Sequence, residues 1–301
     1  MKKTKIVLFL IVITSVCVLA RIDVVFATNK PLRLGSVMSA QELSDGSLLI
    51  ADGGGIDKSL NGAQVIIINK NNDIIWRFNE NLAFPHSARL FSDNSIVISD
   101  SVNNRVISVD RETKKILWSS DQWTSDSGRL SDGTHLDYPN NVEEFSDRNM
   151  LITDNLNNRL VISNRQGQVK LTIPHLNSPH NAHILSDNEI IASNTMANGA
   201  MIVDLKTKYI KPLFSGLGLS EPKDFQPLEN RHILITDSNN DRILEVDQNN
   251  QIVWEYKEGL YSAQSAIRLK NGNTLIVDSF NYRLLEVTQE KQIVREIVGE
   301  F

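Results

Sequence analysis

The chain has 301 residues and a mass of 33.8 kDa, with 41% hydrophobic and 22% charged residues, which is enough apolar material for a large core and excludes a disordered or fibrous polypeptide. Its 31 Lys and Arg against 36 Asp and Glu give a formal charge of −5, with no basic block longer than Lys2, Lys3 and Lys5, which argues against nucleic acid as a partner.

Those three lysines precede an apolar run from Ile6 to Ala20, the order of a secretory signal, and the run is shorter than the roughly 20 residues of a membrane span. Val25-Phe26-Ala27 suits signal peptidase, so residues 1–27 are expected to be a signal peptide cleaved after Ala27, with Ala20 as second choice. The mature chain is then secreted or periplasmic, more acidic, attached to a membrane only if the signal stays uncleaved, and without cysteine, because Cys17 leaves with the signal.

From there the chain repeats one phrase, an apolar strand that ends in Asp or Asn. SLLIAD ends at Asp52, SIVISD at Asp100, MLITD at Asp154, EIIASN at Asn194, ILITD at Asp237 and TLIVD at Asp278, at intervals of 40 to 54 residues. Each copy reads as four strands with tight polar turns such as Asp93-Asn94, Asn249-Asn250 and Asn271-Gly272, and helical periodicity is absent. The expectation is all-β: one six-bladed β-propeller of four-stranded antiparallel blades over residues 28–301, with blades at about 37–80, 84–120, 138–173, 178–213, 221–257 and 262–299. A short strand from residues 29–36 is a candidate addition to the last blade, and a monomer is expected.

SDSVNNRVISVD (99–110), TDNLNNRLVISN (153–164), TDSNNDRILEVD (236–247) and VDSFNYRLLEVT (277–288) resemble the Asp-x-x-Asn-x-Arg core of NHL-type propeller repeats. The strand endings DIIW, KILW and QIVWEY, with NGNTLIVD, are similar to arylsulfotransferase propellers. Asp100, Asp154, Asp237 and Asp278 each precede an arginine by five residues (Arg105, Arg159, Arg242, Arg283), a spacing read as a structural ion pair across a turn, while the fourth copy carries Asn194 and Gly199 there.

Fourteen residues before each strand-ending Asp or Asn, where the innermost strand begins, stand Met38, His86, Asn140, His180, Lys223 and Gln264; the next column is Ser39, Ser87, Asn141, Asn181, Asp224 and Ser265. So polar a pair of columns at the axis reads as the mouth of a pocket, with His86 and His180, stiffened by Pro85 and Pro179, aimed at one volume. The resemblance implies sulfuryl transfer between phenols: His86 or His180 as nucleophile, the other as acid and base, and Lys223 with Asn140 and Asn181 on the sulfuryl oxygens. No cofactor is needed for that chemistry. In peptidylglycine amidating lyases, histidines of alternate blades hold zinc, but here Gln264 stands where a third would be.

Two other readings stay open. One is a metal-dependent lyase or lactonase, with calcium on Asn140, Asn141, Asn181 and Asp224 or zinc on His86 and His180. The other is a non-catalytic NHL-type module that binds a glycan, a peptide or an exported protein through the loops at 53–62, 119–134 and 205–220. Trp76, Trp118 and Trp254 follow the repeat and read as packing residues, whereas Trp123 breaks it and is the candidate for stacking on a phenolic or glycan ligand. His183 is a candidate helper beside the pair, and His135, His175 and His232 carry no assigned role.

Overall fold

A computed structural model describes residues 32, 34–55, 62–123 and 127–299; the expected signal peptide lies outside them. Six separate sheets each contain four strands in chain order, all antiparallel, so the chain is a six-bladed propeller. The innermost strands are Val37–Glu42, Pro85–Leu90, Pro139–Glu144, Ala182–Ser186, Asp224–Pro227 and Ser265–Arg268, one from each of blades one to six.

Period-two alternation explains why blades stack. In blade one, Leu48, Ile50, Ile66 and Ile68 pack on blade six, while Leu49, Ala51, Val65 and Ile67 pack on blade two. Four more apolar layers of this kind fill the remaining interfaces. A second or third strand is therefore apolar on both faces, as in Leu48–Asp52 and Gln64–Ile68, which are buried throughout. Outer strands such as Ile74–Phe78 bury alternate residues only.

The ring closes by packing and side-chain bonds, not by a shared sheet. Ile293–Val298 pairs within its own blade, and residues 34–36 form no strand, so the expected addition from 29–36 to the last blade is not seen among the described residues. Leu34 instead packs between blades one and six, with its carbonyl so close to Gly299 that a Cβ there would meet it at 2.1 Å. Lys270 N–H donates to Glu42 Oε2 at 2.8 Å across the same seam.

The repeated Asp–Arg pair is structural. Asp100, Asp154, Asp237 and Asp278 accept Arg105, Arg159, Arg242 and Arg283 Nε at 2.6–2.8 Å on one oxygen. The other oxygen accepts the backbone N–H of Ala83, Asp137, Ser220 or Tyr261, each 17 residues earlier. Each aspartate thus ties the loop that enters its blade to the turn after its second strand. Asp52 uses Gln64 in place of an arginine, and Asn194 keeps only the backbone bond, to Asn177.

Candidate functional site

The residue after each of those Asp or Asn positions reaches into the following blade. Ser101, Asn155, Thr195 and Ser238 donate to the carbonyls of Pro139, Pro179, Pro222 and Ala263 at 2.6–3.0 Å, and Ser279 donates to Val37. These carbonyls belong to the residues just before Asn140, His180, Lys223, Gln264 and Met38. Every blade junction but one therefore holds the entry to an axial side chain. At the exception, Gly53 stands in place of the donor, and the Phe84 ring fills the space its Cβ would need, 2.7 Å away.

Local backbone aims the side chains. The pairing register slips between Val37 and Ser39, Pro85 and Ser87, and Pro139 and Asn141, so that Met38, His86 and Asn140 are bulged residues. Two residues upstream of His86, Asn140, His180, Lys223 and Gln264, the chain takes a left-handed turn at Phe84, Tyr138, Ser178, Glu221 and Ser262, with φ between 44° and 58°. Side chains from the preceding blade (Asn104, Asn158, Asn198 and Asp241) accept the N–H groups of the last four at 2.7–2.9 Å, which offsets the strain.

His86 and His180 meet at this mouth, 94 residues apart in sequence, with ring centroids 4.6 Å apart and planes at 68°. Gln264 completes the alternate-blade set through a hydrogen bond to His180. Burial pushes His86 down to about 3, with the Lys223 cation adding to the effect. Burial, His86 and Lys223 hold His180 well below its ordinary value. Lys223 is itself pushed down by burial, to about 8, and its ammonium lies 6.0 Å over the Phe280 ring. At neutral pH the site therefore holds two neutral imidazoles and one cation. Nδ1 of both histidines and Oδ1 of Asn140 are buried without a protein partner, although buried polar groups ordinarily have one.

The second column lies deeper. Asn141 Nδ2 donates to the Ala182 carbonyl at 2.9 Å, while its Oδ1, Ser39 Oγ and Ser265 Oγ have no protein partner. Asn181 is buried, its N–H on Ser193 Oγ, which also accepts the N–H of His180.

Two expected ligand contacts are corrected. Asp224 does not join the histidine pair; its Oδ1 lies 2.6 Å from His183 Nε2, near the opposite end of the channel. His183 is likewise no helper to the pair, for its Nδ1 is 2.7 Å from Glu143 Oε1. Burial alone would lower His183, but Glu143 and Asp224 outweigh it and push it up to about 10. This cluster borders a cavity of about 480 Å³ with Gln41, Arg89 and Gln226. Trp123 is 5% exposed, stacked on Trp118 at 6.1 Å, and donates to the Arg165 carbonyl at 3.0 Å. Trp76 and Trp254 make the same bond to the next blade, at Arg111 and Gln289, so Trp123 serves the repeat at a shifted position and is not open to a ligand.

A resident metal does not fit the mouth. Its side chains offer two imidazoles and amides beside an ammonium, with the one carboxylate of the two columns turned away to His183, whereas calcium needs anionic oxygens and zinc a third strong donor. Among the described residues, no group of three or more His, Cys, Asp or Glu side chains is placed to share an ion.

No family model matches the chain, and no curated protein matches its sequence. The NHL and arylsulfotransferase resemblances are thus not confirmed as family membership. Solved propellers do share its fold. Virginiamycin B lyase from Staphylococcus aureus superposes with a TM-score of 0.64 at 12% identity, covering 90% of this chain and 88% of that one. A streptogramin B lyase gives 0.65 at 12% identity, covering 91% and 86%. A catalytically inactive variant of the Staphylococcus aureus lyase with quinupristin gives 0.63 at 12% identity, covering 88% and 85%. At such identities the likeness establishes the propeller and not an activity.

Proposed function

We propose that this propeller is an extracytoplasmic protein that binds a small organic anion at the mouth formed by His86, Asn140, His180, Lys223 and Gln264, and performs acid–base chemistry on it. One observation carries the reading: two imidazoles, kept neutral by burial, stand edge to face beside the Lys223 cation, whose attracting carboxylate is the exposed Glu221 and not a member of either column. A neutral imidazole accepts a proton or attacks an electrophile, and the ammonium stabilises the negative charge that either event develops. The lyase activity of the fold neighbours favours proton abstraction followed by elimination. Sulfuryl transfer, the activity implied by the arylsulfotransferase resemblance, uses the same parts, with His86 or His180 as nucleophile and Lys223 with Asn140 on the sulfuryl oxygens.

Titration of phenyl sulfate into the wild type, Lys223→Met and the double variant His86→Ala/His180→Ala tests the binding claim. The expected result is saturable binding that Lys223→Met weakens at least tenfold; absence of binding by phenyl sulfate and by simple carboxylates refutes the reading. Turnover of the bound ester with a phenol acceptor, abolished by either single histidine variant, marks the transferase. Binding without turnover of any offered anion leaves the mouth as a binding module.

A further inference from the structure

Among the described residues, the large apolar side chains that remain exposed fall, apart from Tyr209 in the turn before the outer strand of blade four, in two places, the outer strands and the turns beside the channel mouth. The second group is periodic. Val102, Leu156, Met196 and Phe280 occupy the same position in the turn after the second strand of blades two, three, four and six, each 45–58% exposed, and Tyr261 packs edge-on against Phe280 at 5.4 Å. The residue immediately before each of these four donates to the carbonyl preceding an axial side chain of the next blade, so each tip hangs beside the entry to the site. Phe280 also presents its ring face to the Lys223 ammonium at 6.0 Å. A lone exposed leucine needs no explanation, but an apolar side chain at the same turn position in four of the six blades is a pattern, and exposed apolar surface of that kind marks recognition surfaces.

We propose that this apolar collar seats the hydrocarbon body of an amphiphilic anion whose charged head lies at Lys223, His86 and His180. The inference rests on the anion-binding reading above and adds the class of ligand. Charge complementarity selects this occupant: the Lys223 cation adjoins the collar at Phe280, and a chain of net charge −5 is repelled by an anionic membrane surface. The collar is open at blades one and five, where Gly54 and Asn239 hold the equivalent positions, which leaves a way out for a body longer than the mouth is wide.

The test is a calorimetric series of butanoate, hexanoate, octanoate and decanoate against the wild type, Leu156→Ser/Met196→Ser and Lys223→Met. Affinity is expected to rise about two- to fourfold per added methylene, the range between half and full burial. The double serine variant, altered only at exposed turn tips, flattens that series and leaves butanoate unchanged, while Lys223→Met weakens every member. Butanoate binding with no gain along the series overturns the collar and leaves the anion-binding reading standing; a chain-length gain that survives in the double serine variant also overturns the collar. Capture of the wild type, but not the double serine variant, by neutral phosphatidylcholine vesicles overturns it in favour of a lipid surface. Failure of every carboxylate and of phenyl sulfate to bind removes both proposals.

Discussion

Replacing His183 by Gln tests the electrostatics of the channel. The imidazole lies between Glu143 Oε1 and Asp224 Oδ1 at 2.7 and 2.6 Å and is 8% exposed. Raised from 6.5 to about 10 in the fold, it contributes up to about 5 kcal/mol at ~1.4 kcal/mol per pH unit. That stability is fully present below about 6.5, where the unfolded chain is protonated too, and is lost as pH rises through about 10. His183→Gln removes the cation held between the two carboxylates and leaves Arg89 as the charge that still acts on Glu143, and removing one member of a buried pair costs about 3–5 kcal/mol. Urea unfolding at pH 6, 8 and 9.5 is the assay, read as the difference between the two proteins. Taking the difference removes Lys223, whose lowered value makes stability rise with pH above about 8, the opposite sign. A difference of about 3–5 kcal/mol at pH 6 that shrinks steadily towards pH 9.5 is expected. A difference under about 1 kcal/mol at pH 6, or one that does not change with pH, refutes the reasoning.

Lys223→Met should raise the pKa of both His86 and His180 without bringing either to 6.5, because burial, the larger cause, remains; proton NMR titration of the ring signals measures this. Trp123→Phe, which loses the bond to the Arg165 carbonyl, is expected to destabilise the fold by about 1–3 kcal/mol while anion affinity stays unchanged, the reverse of what a ligand-stacking residue would give. Ser238→Ala leaves the buried Ala263 carbonyl without its side-chain donor, so a loss of about 1–3 kcal/mol in thermal or urea unfolding is expected, together with weaker anion binding through a displaced Gln264.

Much of this was written in the periodicity of the chain. The six strand-ending Asp or Asn positions set the blade count, and the position 14 residues before each of them puts His86 and His180 at one axis, where the structure brings their rings together. The register fails one step later. Asp224 and Asn141 sit in the same column of the repeat, yet Asp224 turns to His183, because a buried carboxylate seeks a cation and the channel supplies one two residues deeper in the neighbouring blade. Trp123 misled for a related reason. A break in spacing looks like a loop residue freed for recognition, but its indole restores the bond to the next blade that Trp118 does not make. The inter-blade donors Ser101, Thr195, Ser238 and Ser279 form an equally regular column, but a hydroxyl in a turn carries no sequence signal for a partner in another sheet.

The most direct measurement is a nitrogen-edited NMR titration that follows the ring signals of His86 and His180 together as an organic anion is added. A shared site predicts that both imidazoles respond with one dissociation constant and that Lys223→Met abolishes both responses. Movement of one ring alone, or a response that persists without the lysine, would contradict the claim that blades two, four and five build a single anion-binding centre.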